Sequence, residues 1–310
     1  MQIAEGFSQP YRIQGRASVA DLFRPGERCG LYVLHFANGD IYAGQALDVS
    51  RRYVQHRKAH ADIEQISFRE VPKNRLDNEE RTLIWSLERS GKRLRNITFT
   101  SVPKGESDFD LVMSLEEQNR WLEDPSYIDF SGERIVDSEL RRKYIKKYES
   151  FANLPHSDEI LDVLRSYVRA GIPAFLRSEV SFWCVSCLPT RSVYARISIY
   201  WQEVLTVFVA ENEFWVSLHT ANSPFILLPD DALDLLFERH PTLGTADHKY
   251  SPGGSDQVNL VSPLTDAQAF ISDPEVTPAI RLFNLRLMKK GPCNFARHHC
   301  MNLADSLVDV

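Results

Sequence analysis

Six side chains in the first hundred residues have types and spacings suited to chemistry at a phosphate: Tyr32, Tyr42, Arg52, His56, Glu80 and Asn96. Hydrolysis of a phosphodiester needs an activated water, a cation at the phosphate and stabilisation of the charge that develops. A guanidinium suits bidentate phosphate recognition. A phenol, with its ordinary pKa of about 10, works as a base at neutral pH only beside positive charge. A carboxylate on an apolar helix face is costly to bury unless it is paired or holds a metal.

These residues need a scaffold that brings them together. Residues 29–36 (CGLYVLHF) read as a strand, Ala37-Asn38-Gly39-Asp40 as a hairpin turn, and 41–45 as the returning strand. Residues 48–60 read as a helix with Asp48 as N-cap, and Ile66–Val71 as a third strand stopped by Pro72. Residues 76–90 read as a second helix that ends at Gly91. Strand parity makes the turn decisive. A two-residue turn on Asn38-Gly39 sends Tyr32 and Tyr42 to opposite faces. A three-residue turn with Gly39 left-handed pairs Phe36 with Asp40, sets Tyr42 opposite Leu34, and puts both tyrosines on one face. A shared site therefore predicts the three-residue turn; packing of two ordinary strand tyrosines is the alternative.

Helical phase places the next residues. Val49, Arg52, Tyr53, His56 and His60 form one stripe, so Arg52 and His56 lie on the face that packs on the sheet. A surface arginine and a hydrogen-bonded packing histidine are the plainer readings. On the second helix, at about 100° per residue, Glu80 falls about 40° from Leu76, between Leu83 at about −20° and Ile84 at about 80°. Glu79 lies on the edge of that stripe, so Glu80 is the candidate. A salt bridge to Arg52 or another base is its alternative. Asn96 follows the basic run Lys92–Arg95 and reads equally as a turn residue.

The motifs Gly30-Leu31-Tyr32 and Ile41-Tyr42-Ala43-Gly44, followed by Asp48, Arg52, His56, Glu80 with Ile84, and Asn96, resemble the GIY-YIG nuclease family. Order and spacing both fit, including an arginine eight residues after Gly44. Leu31 and Ala43 depart from the usual pattern by apolar changes only. The likeness covers about 70 residues, under a quarter of the chain. It implies a small three-stranded antiparallel sheet with flanking helices and a metal-dependent endonuclease acting on DNA. By the same likeness, Glu80 ligates Mg²⁺ or Mn²⁺ and Tyr32 is the general base. Tyr42 and His56 orient or relay the proton, Arg52 stabilises the transition state, and Asn96 orients the site. A non-catalytic nucleic-acid or protein-binding module on the same scaffold is the alternative.

Charge is distributed to match. The formal net charge is −6, yet residues 1–100 hold 16 Lys/Arg against 12 Asp/Glu, and residues 101–310 hold 20 against 30. The positive excess sits in two clusters, Arg51, Arg57 and Lys58 beside Arg52, then Lys92, Arg93 and Arg95. These are candidate nucleic-acid contacts, with a solvated helix face as the alternative. The acidic remainder argues against nonspecific coating of DNA and suits a protein partner.

The rest of the chain reads as a 1–27 leader, a 28–100 nuclease-like module, a helical connector over 101–155 and a separate α+β domain over 156–310. That last domain has strands expected at 180–188, 193–200, 204–209, 214–219 and 225–228, forming an antiparallel sheet. Helices are expected at 157–170, 230–238, 266–288 (broken near Asp273-Pro274) and 293–307. Cys184-Val185-Ser186-Cys187, with Cys293, His298, His299 and Cys300, offers zinc ligands. Strand alternation sends Cys184 and Cys187 to opposite faces, so buried structural cysteines are the favoured reading. Arg297, His298 and His299 are also candidates to contact phosphate. Five cysteines in 310 residues are too few for a disulfide framework. No apolar run approaches the ~18 residues of a membrane span. No signal segment is visible at the N-terminus, and a reduced, cytoplasmic protein is expected.

Overall fold

The turn between the first two long strands fixes which face each tyrosine takes. In the computed structural model, which describes residues 5–308, Gly39 has a φ of 83°. The Phe36 N–H donates to Asp40 O at 3.0 Å, and the Gly39 N–H donates to Phe36 O at 2.9 Å. This is the three-residue turn. It sets Leu34 opposite Tyr42 and Tyr32 opposite Gly44.

The first of two units runs through Lys104. Its strands are β1 (Tyr11–Arg12), β2 (Gly30–Phe36), β3 (Ile41–Ala46) and β4 (Ile63–Glu70). They form one antiparallel sheet in the order β1-β4-β2-β3. The sheet has four strands where three were expected, because Tyr11 and Arg12 pair with Ile66 and Gln65. Two residues are too few to show a period of two. Residues 1–27 are accordingly no separate leader in their described part: Phe7, Ile13, Val19 and Phe23 are buried in the unit.

Two helices cover opposite faces of this sheet. Helix α1 (Val49–Ala59) starts where Asp48 accepts from the Ser50 and Arg51 N–H groups. Its Val49 and Tyr53 pack with Tyr32, Leu34 and Phe36. Helix α2 (Leu76–Arg89) lays Leu76, Leu83, Ile84 and Leu87 on the other face, against Leu31, Val33 and Ala43. The alternation along β2 is thus buried on both sides.

The second unit starts at Gly105. Helices α3 (Leu115–Glu123), α4 (Ser138–Ala152), α5 (Ser157–Gly171) and α6 (Phe175–Ser178) lead into a six-stranded antiparallel sheet. Strands β5 (Trp183–Cys187), β6 (Val193–Ile199), β7 (Gln202–Ala210) and β8 (Glu213–Thr220) form a meander. Then come α7 (Ser223–Ile226), α8 (Asp230–Arg239), β9 (Gly244–Ala246), β10 (Val258–Pro263), α9 (Leu264–Ile271), α10 (Val276–Met288) and α11 (Met301–Val308). The sheet order is β5-β6-β7-β8-β10-β9.

Three expectations change here. Residues 225–228 are not a strand: Pro224 near the start of α7 favours a helical turn despite the apolar FILL run. Strand β10 went unread because Pro263 and the preceding glycine-rich loop obscure it. The 101–155 stretch is no mere connector. Phe109, Met113, Trp121 and Phe151 are buried in the core of the second unit. Their wide spacing among charged residues hides any helical stripe. Among the described residues no helix is long and apolar enough to cross a membrane.

Candidate active site

The tyrosine face of the first sheet holds a hydrogen-bonded cluster. Tyr32 is 1% exposed. Its Oη lies 2.7 Å from His56 Nε2 and accepts from Arg52 Nε at 3.2 Å. Arg52 can only donate, so Tyr32 Oη keeps its own proton free to give to His56 in the tautomer whose Nε2 is unprotonated. Tyr42 stacks on Tyr32 with ring centroids 6.2 Å apart and sits 4.5 Å from the His56 ring. His60, the residue that caps the C-terminus of α1, stacks on His56 at 6.2 Å.

Gly44 makes this packing possible. A Cβ there would stand 2.5 Å from Tyr32 Oη and 2.9 Å from Tyr42 Cε1. The third residue of the second tripeptide is therefore required by close approach of two phenols, with no need of a special φ.

Electrostatics tune the cluster in a definite direction. Burial, assisted by Tyr42, pushes the Tyr32 phenol well above its ordinary range; the Arg52 hydrogen bond opposes this without overcoming it. Of the two sources of positive charge expected beside the phenol, Arg52 and a metal, Arg52 acts in the expected direction and burial outweighs it. Burial, then Arg52 and His60, pushes His56 down to about 4. At neutral pH the pair is thus a protonated phenol bonded to a neutral imidazole.

Glu80 sits at the open edge of the sheet. The outward backbone groups of β3 are each met by a different partner. Ile41 pairs with the backbone of Arg93 and Arg95. The Asn96 side chain accepts from Ala43 N–H at 3.0 Å and donates to Ala43 O at 2.6 Å. Glu80 Oε1 accepts from Gln45 N–H at 3.1 Å, and its Oε2 accepts from Gln45 Nε2 at 3.0 Å. The same Gln45 Nε2 donates to Asp77 Oδ1 at 2.6 Å. Burial raises the Glu80 carboxyl, against the Gln45 hydrogen bonds.

Glu79 has a different fate. It is ion-paired to Arg69 at 2.7 Å and to Arg75. No salt bridge reaches Glu80 among the described residues, so the salt-bridge alternative does not hold. Glu80 offers hard carboxylate oxygens, partly desolvated. That donor set fits Mg²⁺ or Mn²⁺ keeping much of its hydration. No group of three or more His, Cys, Asp or Glu gathers around a metal position among the described residues. A metal here would rest on one carboxylate.

Seven candidates are placed elsewhere or otherwise employed. Asn96 is spent on the backbone of β3, which makes it an edge clamp and gives its amide no reach to Tyr32. Arg95 stacks over Phe36 at 3.7 Å and pairs with Asp62 at 2.6 Å. Arg93 pairs with Asp40 at 3.0 Å. Both lie at the hairpin turn, the far end of β2 from Tyr32. Lys92 is exposed on the same run. Arg51, Arg57 and Lys58 are exposed on the solvent side of α1, with Arg57 reaching Ala17 O at 3.4 Å.

Two contributors escaped the sequence reading. Gln45 follows Gly44 directly, and its parity with Ile41 and Ala43 put it on the outer edge, a signal that was available. Asp77 became visible only through Gln45.

In the second unit the cysteines form two separate pairs. Cys184 Sγ lies 3.6 Å from Cys293 Sγ. Cys187 Sγ donates to Lys147 O at 3.5 Å, and its thiol interacts with that of Cys300. His299 bonds Glu179 at 2.9 Å and accepts from the Val185 N–H, while His298 turns toward Tyr144. The zinc ligands considered from sequence thus do not converge on one point. Comparison of the chain with protein-family models, curated proteins and solved structures returns no match.

Proposed function

We propose that the first unit is a divalent-metal-dependent endonuclease that hydrolyses phosphodiester bonds in DNA. The observation that carries this reading is the convergence of Arg52 Nε and His56 Nε2 on Tyr32 Oη, on a scaffold whose edge holds Glu80 without a salt bridge among the described residues. The resemblance of these residues to the GIY-YIG pattern supports it. In this reading the second unit sets the target or recruits a protein partner.

The residues divide the work as follows. Tyr32 Oη donates its proton to His56 and accepts from Arg52, which leaves a lone pair for the attacking water. As the water loses a proton to Tyr32, the phenol proton passes to His56 Nε2. The buried phenol then never stands as a free phenolate. Arg52 faces the charge that grows on the phosphoryl oxygens, and that charge favours the imidazolium forming on His56. Glu80 would hold the metal, which when bound supplies Lewis-acid polarisation of a phosphoryl oxygen. Tyr42 holds both rings in place, stacking on Tyr32 and packing at a tilt against His56.

The test is cleavage of supercoiled plasmid, branched DNA and structured RNA by the wild type, Glu80→Ala and Tyr32→Phe, each with Mg²⁺, Mn²⁺ or EDTA. Metal-dependent cutting of DNA that both substitutions abolish, with folding intact, is expected. Cutting that survives Glu80→Ala sinks the proposed site. Absence of cutting alongside saturable DNA binding would instead indicate a binding module on this scaffold.

A further inference from the structure

The second sheet has one apolar face and one polar face. Val185, Ile197, Leu205, Val207, Val216 and Leu218 belong to the hydrophobic core that also contains residues of α5, α9 and α10. The opposite face carries a cross-strand ladder: Ser186 opposite Arg196, Arg196 opposite Thr206, Thr206 opposite Ser217. One row further, His219 lies opposite Asn259. Glu203 of β7 and His248, two residues beyond β9, join the arginine, histidine and asparagine of this ladder.

Two cavities adjoin on this face. The first, of about 250 Å³, is lined by Glu203, Phe208, His219, His248, Tyr250 and Asn259. The second, of about 240 Å³, is lined by Tyr144, Lys147, Ser186, Arg196 and His298. The Arg196–Glu203 ion pair lies between them. His219 is 3% exposed, and its Nδ1 is buried without a hydrogen-bond partner. Arg196 Nε is in the same condition. Buried polar atoms of this kind are rare and call for an explanation.

The two cavities differ in chemistry. In the second, positive charge concentrates although residues 101–310 carry 30 acidic against 20 basic side chains. Burial, then Arg297, Lys143, Arg196 and Lys147, pushes His298 below its usual range. Lys147, Arg196 and His298 line this cavity together, a set that suits a phosphate. The first cavity has aromatic walls, with His248 and Tyr250 centroids 4.6 Å apart and His219 and Tyr250 5.1 Å apart. Asn259 and Glu203 add donors and acceptors. These suit a planar heteroaromatic ring. Glu203 already accepts from Tyr250 Oη at 3.0 Å and Thr206 Oγ1 at 3.3 Å, as a carboxylate that binds hydroxyls does. With strands about 4.8 Å apart, the ladder from β5 to β8 spans about 14 Å, the scale of a base, ribose and phosphate laid end to end.

We propose that this face binds a free nucleoside monophosphate, with its phosphate at Lys147, Arg196 and His298, its base among His248, Tyr250 and Phe208, and its ribose hydroxyls at Glu203. The site lies within the second unit and stands independently of the nuclease reading.

Calorimetric titration of the full-length protein tests it, using AMP, GMP, CMP and UMP, the matching nucleosides, inorganic phosphate and a 5′-phosphorylated single strand. One monophosphate should saturate, with its nucleoside and inorganic phosphate each at least about tenfold weaker. Lys147→Gln, at an exposed position, should weaken the monophosphate about fivefold or more and leave the nucleoside unchanged. His248→Ala should weaken nucleoside and monophosphate and leave phosphate unchanged. Melting temperatures of the unliganded variants check that both fold. Three results overturn the proposal: no saturation by any monophosphate below about 5 mM, inorganic phosphate binding as tightly as the monophosphates, or the single strand being bound in preference to them.

Discussion

Tyr32 Oη and His56 Nε2 stand 2.7 Å apart in a buried pocket where the phenol is pushed up and the imidazole is pushed down. The two shifts have one main cause, desolvation, and opposite effects on the two groups because burial penalises a phenolate and an imidazolium alike. Both are therefore neutral at rest. In the proposed reaction such a pair would act by passing a proton along, since neither member is ionised beforehand.

That relay makes the two residues a unit. Tyr32→Phe should abolish cleavage, and His56→Gln should reduce it by about 10²–10⁴-fold. The double variant should be scarcely worse than Tyr32→Phe alone, because the second change removes a step already lost. Single-turnover rates on a cleaved substrate measure this; additive losses would show the two act separately.

His56 also links stability to pH. Its folded pKa of about 4 lies below the ordinary value of 6.5. The unfolded chain therefore binds the proton first as pH falls. Its contribution is fully present above about 6.5 and is lost between about 6.5 and about 4, a loss of order 2–3 kcal/mol. Histidine NMR should show one ring in the first unit titrating near 4, absent in His56→Gln. A His56 resonance titrating near 6.5 would contradict this.

Adjacent glutamates on α2 should separate cleanly. Glu80→Gln should lose Mn²⁺ binding measured by EPR and all metal-dependent cutting. Glu79→Gln breaks partly exposed pairs to Arg69 and Arg75, so it should cost about 1 kcal/mol or less of stability and leave Mn²⁺ binding intact. The reverse pattern would move the site to Glu79.

Asn96 offers a test of clamp against catalyst. Asn96→Ala removes both hydrogen bonds to Ala43 and leaves buried backbone groups unmet, which should cost about 1–3 kcal/mol. The remaining folded fraction should cut with a rate within a few-fold of wild type. A hundredfold loss of rate in protein shown to be folded would restore a direct catalytic role.

Gly44→Ala should be harmful out of proportion to one methyl group. Its Cβ would press on Tyr32 Oη, and the phenol must move away from His56 or the strand must shift. About 1–3 kcal/mol of stability should be lost, together with most of the activity. Thermal melts and the cleavage assay read both.

Some of this molecule was fixed by the residues alone. Asn38-Gly39 marked the turn, and the condition that both tyrosines share one face selected its three-residue form, because a period of two admits no compromise. The stripe on α1 brought Arg52 and His56 to Tyr32, and the stripe on α2 selected Glu80 over Glu79, because helical phase is local and additive. What packing decided was different in kind. Burial set the direction of the Tyr32 and His56 shifts, and desolvation depends on everything around a group, including the described part of residues 1–27 that closes over α1. Edge pairing turned Asn96 into a clamp and drew Arg93 and Arg95 to Asp40 and Asp62, and such pairing joins residues more than thirty positions apart. The nucleotide-sized face of the second sheet arises the same way. Lys147, Arg196, His219, His248 and His298 lie on separate elements, and no local period in the sequence relates them.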